Sequence, residues 1–149
     1  MVGKNDMVKD KYFETVFDDD YLDIMEGIIF KKLGDNCLRR FSNFVLCSMG
    51  NIYKLNVKSV YTMVDFLRDN DLYFFNEPSL FLSDEGNIIL GSENKKNECF
   101  EVEFFEDKIE FFIENCVESE CKLEEIEDFI KKMIMNGHLV DKTVGFVNE

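Results

Sequence analysis

Histidine and cysteine side chains carry much of the nucleophilic and zinc chemistry of proteins, and this sequence offers few of them at useful spacings. His138 is the only histidine, whereas zinc sites and catalytic triads need several matched partners. Because it follows a predicted helix C-terminus, we expect a surface or capping histidine. Cys37 lies near Arg39 and Arg40, which favours a thiolate, but no histidine is close in sequence to act as its base. The sequence therefore predicts no catalytic residue.

The cysteine pattern argues against a disulfide framework and against a metal site. The five cysteines form no CxxC pair: Cys37, Cys47, Cys99, Cys116 and Cys121. The last three lie among acidic residues, which raise the pKa of a thiol. The N-terminus shows no charged-then-apolar leader, and no apolar stretch approaches the about 20 residues that span a bilayer. We expect reduced thiols in a cytoplasmic protein, several of them buried, with no cofactor and no membrane partner.

Carboxylates are abundant, yet none of them follows a recognised metal or catalytic pattern. Asp18, Asp19 and Asp20 lack the alternating ligands, central Gly and closing Glu of a calcium loop. Acids at a helix N-terminus explain this run more simply. No Walker-type, G-x-G-x-x-G, G-x-S-x-G or H-E-x-x-H motif occurs. An enzyme that uses carboxylates and a divalent metal is therefore the least supported function class.

The net charge indicates a class of partner rather than a reaction. Residues 1–60 contain nine Lys/Arg and nine Asp/Glu, so their charges cancel. Residues 61–149 contain eight Lys/Arg and twenty-two Asp/Glu, and this excess accounts for the whole net charge of −14. Such a surface repels nucleic-acid phosphates and anionic lipid and attracts basic surfaces. The bases cluster only at Lys31, Lys32, Arg39 and Arg40. We expect these four to pair with the acidic half or to contact a small acidic patch on another molecule.

Length and composition predict one domain over residues 1–149. The chain is rich in Phe, with 16 residues, and contains a single Pro, at position 78. Ala, Gln and Trp are absent while Lys, Asn, Ile and Phe are plentiful, a bias typical of AT-rich coding in low-GC bacteria, phages and other mobile elements. The aromatic content argues against acidic disorder. Residues 1–12 are polar and are expected to be a frayed lead-in.

Apolar residues at helical spacing predict three helices within residues 13–70. The first covers 21–33, with Asp20 as N-cap and Gly34 as its stop. The second covers 36–48, and the third covers 57–68 with Asn56 as N-cap. A fourth, C-terminal helix is predicted within 120–137, ending at Gly137, from the apolar stripe Leu123, Ile126, Phe129, Ile130, Met133 and Ile134.

After Pro78 the apolar period changes from about 3.6 to about 2 residues, which predicts two β-hairpins. Residues 84–86 form the first turn, with Gly86 in the left-handed position, so that Leu80 faces Leu90 and Leu82 faces Ile88. A turn at 106–107 makes the second register pair Phe104 with Ile109, Val102 with Phe111 and Phe100 with Ile113. Both hairpins keep their apolar residues on one side. The predicted fold is α+β, with a four-stranded antiparallel meander over 78–115 between the N-terminal helices and the C-terminal helix.

The other side of this sheet is the most promising functional surface. It would present six residues: Phe81, Ile89, Glu101, Glu103, Glu110 and Phe112. Glu103 would face Glu110, and like charges in a cross-strand pair are destabilising. Three interpretations stay open: a solvated face on which Lys108 relieves the repulsion, a docking surface for a Lys/Arg-rich partner, or a face covered by a helix.

These observations favour a non-enzymatic acidic binding protein that occludes a basic surface of a protein partner. Such a partner would be a toxin, a nuclease or a host defence protein, and the chain would act as an antitoxin-like protein or a phage or mobile-element inhibitor that mimics nucleic-acid charge. The alternative is a structural or assembly subunit that self-associates through apolar contacts, giving a homo-oligomer. Charge-driven capture weakens with ionic strength, whereas apolar self-association does not.

Overall fold

Among the residues that the computed structural model describes, three helices precede a five-stranded antiparallel sheet and a fourth helix follows it. The structure describes residues 19–50, 52–114, 119–122 and 126–141, so the predicted lead-in 1–12 lies outside the described residues. The helices are α1 (Asp19–Leu33), α2 (Asp35–Met49), α3 (Val57–Asp69) and α4 (Ile126–Met135). The strands are β1 (Ser79–Leu82), β2 (Ile88–Glu93), β3 (Cys99–Phe104), β4 (Lys108–Ile113) and β5 (Ser119–Lys122). The α+β class is therefore confirmed.

The helix boundaries follow from capping residues and apolar stripes. Asn56 caps α3 as predicted, because its side-chain oxygen accepts a hydrogen bond of 3.2 Å from the backbone amide of Lys58. Asp20 is not an N-cap. The helix α1 already begins at Asp19, and the two acids lie in its first turn, where they complement the helix dipole. Gly34, with φ of +95°, separates α1 from α2.

Both predicted hairpin registers are confirmed. Leu80 pairs with Leu90 and Leu82 with Ile88, and the second hairpin pairs Phe100 with Ile113, Val102 with Phe111 and Phe104 with Ile109. The first turn places Gly86 at φ of +84°, in close contact with the backbone of Lys54. The strand order along the sheet is β1 to β5 in sequence order. The period-2 alternation of apolar residues therefore predicted correctly which residues pair across the strands and which side of the sheet they occupy.

The C-terminal part of the sheet differs from the prediction. Residues 120–122, expected at the start of the last helix, belong to β5, which pairs Cys121 with Ile109. Helix α4, Ile126–Met135, buries Phe129 and Met133 of the predicted stripe, while Leu123 lies outside the described residues. Within the part of the chain that is described, no helix has the length and apolar character needed to cross a bilayer.

The core lies between the inner face of the sheet and the helices. Aromatic rings link the layers: Phe66 of α3 lies 5.5 Å from Phe104, and Phe129 of α4 lies 4.6 Å from Phe111. Phe66 and Phe129 also contact each other at 6.2 Å. These tilted ring contacts explain much of the heavy use of Phe, because aromatic pairs contribute stability beyond the burial of their own surface.

His138 is buried rather than a surface residue. Helix α4 ends at Met135, and Gly137 terminates it as predicted. The amides of Gly137 and His138 donate to the carbonyl oxygens of Ile134 and Met133 in a Schellman arrangement. The chain then turns back, and the amide of Phe75 donates to the carbonyl of His138 at 3.0 Å. This return places the imidazole, with 0% exposure, edge-on against Phe100 at 5.0 Å.

Candidate partner-binding face

The structure places all six predicted surface residues at outward positions of β1 to β4. We call this surface the outer face; it consists of Phe81, Ile89, Glu101, Glu103, Glu110 and Phe112. Phe81 is 43% exposed and Glu101 is also exposed. The other four side chains are half-buried. Among the described residues, no helix covers Phe81 or Glu101, so this part of the face is open to a partner.

The like-charged pair at the centre of the face is confirmed and is compensated from inside the molecule. Glu103 faces Glu110 in the register of β3 and β4. The ammonium group of Lys108 lies 3.2 Å from the Glu110 carboxylate, as the solvated-face interpretation expected. Asn87 donates to the Glu103 carboxylate at 3.0 Å and is itself held by Asn56 at 2.8 Å. Both carboxylates are therefore stabilised and oriented by their neighbours.

Two further carboxylates have no such compensation: Glu101 of the outer face, and Glu93, which lies beside it on the same side of β2. Glu93, at an outward position of β2, and Glu101 are both exposed. Within the described ranges, neither side chain accepts a hydrogen bond or forms an ion pair. Sequence reasoning missed Glu93, although its period-2 spacing from Ile89 was the available signal. The uncompensated negative charge thus lies at the β2–β3 side of the face.

A depression of about 470 Å³ lies beside these two carboxylates, between strands β1 to β3 and the segment before β1. Gly91 forms its floor, because a Cβ atom there would lie 3.1 Å from the carbonyl oxygen of Phe100 and 3.7 Å from the Phe81 ring. Three carboxylates line it, those of Glu77, Glu93 and Glu101. No basic side chain is found among its described lining residues.

The basic cluster predicted from the sequence is dispersed among separate contacts. Lys32 pairs with Asp71 of the acidic half at 3.3 Å, whereas Arg39 pairs with Asp35 of its own helix at 2.7 Å. Arg40 donates from Nε to the carbonyl oxygen of Leu80 at 2.7 Å. Its guanidinium carbon lies 5.3 Å from the centroid of the Phe81 ring. The exposed edge of β1 is therefore partly capped, and Phe81 already contacts one cation.

A second acidic depression, of about 500 Å³, lies between α3 and the start of α4. Its carboxylates are largely paired: Glu106 with Lys58 at 2.7 Å, and Asp65 and Asp69 with Arg68 at 2.9 and 3.2 Å. Exposed pairs of this kind contribute little to stability, but they leave less negative charge for a partner. The outer face is therefore the better candidate.

The thiols of Cys37 and Cys99 are unsuited to nucleophilic chemistry. Burial, with a smaller effect from Glu77, raises the pKa of Cys37 to about 11 against the opposing effect of Arg40. The Cys37 thiol donates to the carbonyl oxygen of Pro78 at 3.1 Å. Burial also raises the pKa of Cys99, with Glu114 and Glu101 adding to it, which confirms the predicted direction. Cys116 lies outside the described residues.

Neither a metal-binding cluster among the described residues nor a related protein indicates a function. In the described ranges, no three His, Cys, Asp or Glu side chains are close enough together to hold a metal ion. No protein-family model, no curated protein and no solved structure matches the chain.

Proposed function

We propose that this chain is a non-enzymatic acidic binding protein that occludes a basic surface of a protein partner through its outer face. One observation carries the proposal: Glu93 and Glu101 are exposed without internal partners next to the exposed ring of Phe81. An aromatic side chain beside uncompensated carboxylates suits Lys/Arg-rich surfaces, which supply both a cation for the ring and donors for the carboxylates.

The partner class follows from charge. A net charge of −14 disfavours direct binding to nucleic acid or to an anionic membrane and speeds association with a basic protein. The basic surfaces of nucleases, toxins and nucleic-acid-binding defence proteins are of this kind. We therefore propose an antitoxin-like protein or a phage or mobile-element inhibitor that acts in the cytoplasm, without a cofactor, as a mimic of nucleic-acid charge.

Charge reversal on the outer face tests this function. The partner would be captured from the native host, identified by mass spectrometry and purified, and its association rate measured at increasing NaCl. We expect Glu101→Lys, Glu103→Lys and Glu110→Lys together to lower the association rate by about tenfold or more, because complementary charge mainly sets the rate of encounter.

The matched control makes the same change in net charge at exposed acids away from the outer face: Asp23→Lys, Asp84→Lys and Asp128→Lys. This control should retain most of the association rate. Equal losses in the two triple variants would show that net charge alone attracts the partner. An unchanged rate in the outer-face variant, with its salt dependence retained, would place the contact elsewhere.

A second function is supported by an exposed apolar cluster near the end of α4. The segment 73–75 pairs with 138–140, since the amide of Val140 donates to Tyr73 at 2.7 Å. The cluster consists of Tyr73, Phe75, Met135 and Val140, with Met135 85% exposed. Apolar self-association through this cluster would make the chain an assembly subunit. Light scattering would then show a homo-oligomer that persists at high salt and dissociates in a Phe75→Ser, Met135→Ser variant.

A further inference from the structure

We infer that residues 138–140 form a pH-sensitive latch, which closes on residues 73–75 and opens when the imidazole of His138 takes up a proton. The latch lies outside the outer face and does not depend on the proposed function. Three features support it: the segment is paired separately from the sheet, the ring is completely buried, and its nitrogens have no hydrogen-bond partner among the described residues.

The latch is a short antiparallel pairing that lies apart from the five-stranded sheet. The amide of Phe75 donates to the carbonyl oxygen of His138 at 3.0 Å, and the amide of Val140 donates to that of Tyr73 at 2.7 Å. An isolated bridge centred on Leu139 lies between these two hydrogen bonds. A pairing this short can open while the core stays folded, because local openings cost less free energy than global unfolding.

The chain is fixed immediately before the latch, so that opening can begin at Gly137. The side-chain amide of Asn94 donates to the carbonyl oxygen of Asn136 at 2.8 Å, and Gly137, with φ of +79°, follows in the left-handed conformation. Within the latch, the side chains of His138 and Leu139 are 0% and 6% exposed. The burial of these two side chains, together with the two backbone hydrogen bonds, therefore holds the latch closed.

The surroundings of the His138 ring favour its neutral form. The ring packs edge-on against Phe100 at 5.0 Å, and neither of its nitrogens has a hydrogen-bond partner within the described ranges. Phe100 in turn stacks on Phe74 of the facing segment at 6.1 Å. A charged imidazole would lose its hydration here without gaining a partner, which is unfavourable. Burial accordingly lowers the pKa of His138 below the ordinary 6.5.

The charged groups around the ring offset only part of this effect. Glu98, before β3, and Glu114, after β4, act to raise the pKa of His138, but burial has the larger effect. Both carboxylates already accept other hydrogen bonds, from the side chain of Asn94 at 2.9 Å and from the amide of Cys99 at 2.7 Å. The remaining titratable groups on the segments next to the ring are Tyr73, Lys95, Lys96, Lys132 and Asp141.

Proton uptake by the ring and opening of the latch are therefore linked. The open form exposes the imidazole to water, where its pKa is close to the ordinary 6.5, whereas the closed form binds the proton more weakly. Above pH 6.5 the ring is neutral in both forms, so the equilibrium between them does not depend on pH. Below it, the open form is favoured by up to about tenfold for each pH unit, the limit for one proton. Opening would also separate Val140 from Phe75 and so divide the exposed apolar cluster.

Amide hydrogen exchange of the isotope-labelled protein, between about pH 7.5 and 5.5, tests the latch. Each rate is converted to a protection factor, which removes the pH dependence of the exchange chemistry. The amides of Phe75 and Val140 report on the latch, and that of Ile88, which donates to the buried Ser59 hydroxyl at 2.8 Å, reports on the core. We expect lower protection at Phe75 and Val140 than at Ile88 at every pH. Protection at these two amides should be constant down to about pH 6.5 and then fall, by up to about tenfold at pH 5.5.

The matched variant is His138→Phe, in which the latch keeps an aromatic ring that has no titratable group, so protection at Phe75 and Val140 should not change with pH. His138 is the only histidine, so its ring resonances in the parent report its protonation directly and should titrate with a midpoint below 6.5. This titration and the exchange rates of the parent decide the matter even if the variant does not fold.

Four results would overturn the latch. Equal protection of the three amides at every pH would show that residues 138–140 open only with the whole protein. Protection at Phe75 and Val140 that is independent of pH in the parent would show that opening is not linked to a proton. The same pH dependence in His138→Phe as in the parent would assign the proton to another group. A ring midpoint of 6.5 or higher would show that the closed form accepts the charged imidazole.

Discussion

The inner and outer faces of the sheet share the same strands but differ in what their side chains contact. The inward positions of β1 to β4 that the hairpin registers predicted carry apolar residues, all of them buried except Leu82, which is half-buried. The outward positions carry carboxylates, one lysine, partly exposed apolar side chains and the small residues Ser79, Gly91 and Cys99. The inner face therefore specifies the fold, and the outer face is left available for recognition because its side chains contribute little to the core.

The outer face is itself divided into two regions. Glu103 and Glu110 are engaged by Asn87 and Lys108, which holds them in place. Glu93 and Glu101 have no described partner and border a depression. Carboxylates with the same spacing and charge thus differ in how many contacts they already make within the protein. Only Glu93 and Glu101 retain their full capacity to bind an external cation.

The largest expected effect is on the inner face. Phe129 is 2% exposed and its ring lies 4.6 Å from Phe111. Phe129→Ala should therefore lower the free energy of unfolding by about 3–5 kcal/mol, from lost burial and the cavity left behind. The control on the same helix, Met135→Ala, should change it by less than about 0.5 kcal/mol. Urea denaturation of both variants measures this, and a Phe129→Ala protein as stable as the parent would show that α4 is not docked on the sheet.

A smaller, pH-dependent effect should arise at the margin of the inner face, from His138. Burial lowers its pKa below the ordinary 6.5, against the opposing effect of Glu98 and Glu114, and neither ring nitrogen has a hydrogen-bond partner among the described residues. Above pH 6.5 the ring is neutral in both states. Below it the unfolded chain binds a proton that the folded chain does not, so stability falls as pH falls, by at most about 1.4 kcal/mol per pH unit.

The comparison variant for this titration is His138→Phe, which keeps a ring against Phe100 and removes the proton. Denaturation at each pH gives the free energy of unfolding of both proteins. The difference between them should be constant above pH 6.5, and the variant should become the relatively more stable protein as the pH is lowered toward 5. A difference that stays constant over the whole range would mean that the imidazole becomes protonated equally well in both states.

A still smaller effect is expected on the outer face, from the pair that Lys108 compensates. Lys108→Met leaves Glu103 facing Glu110 without the nearby ammonium group, which should cost about 0.5 kcal/mol of stability. Adding Glu110→Gln should recover this loss, and raising the salt concentration should reduce it. If the double variant is less stable than Lys108→Met alone, repulsion between the two glutamates is not the cause, and packing of Lys108 on Phe105, at 5.1 Å, is the better explanation.

The sequence was sufficient for the two hairpins because alternation and turn chemistry are local. Gly86 and the apolar residues on either side of it define the register without any information from the rest of the chain. The strand β5 was missed because residues 119–122 carry no apolar alternation and precede an acidic, helix-like run. Its pairing depends on β4, which is a tertiary contact rather than a local preference.

The sequence predicted which residues lie on the outer face but not which of their carboxylates are already paired, because those contacts are tertiary. Period 2 places Glu101 and Glu103 on one side of β3, but which carboxylate is compensated depends on Asn87 and Lys108. The burial of His138 depends on the chain returning past Gly137 to pair with residues 73–75. These contacts join segments far apart in sequence, which single-sequence patterns do not encode.

The smallest expected effect concerns the cysteines, whose replacement should leave partner binding unchanged. The pKa of Cys37 is raised to about 11 and that of Cys99 is also raised, so both are protonated thiols at neutral pH and neither acts as a nucleophile or metal ligand without losing a proton. Cys37→Val removes the donor to Pro78 at 3.1 Å and should cost about 1 kcal/mol of stability.

With the remaining four cysteines changed to Ser, the folded fraction of the cysteine-free protein should bind the captured and purified partner with the affinity of the parent. Cys99 tests this most directly, since it lines the depression, and Ser preserves a small polar group there. Zinc bound stoichiometrically to the parent and lost from the cysteine-free variant would contradict the prediction. In that case the outer face would act through a metal-bound thiolate, and the contrast between an inner face that forms the core and an outer face that binds through its carboxylates would no longer hold.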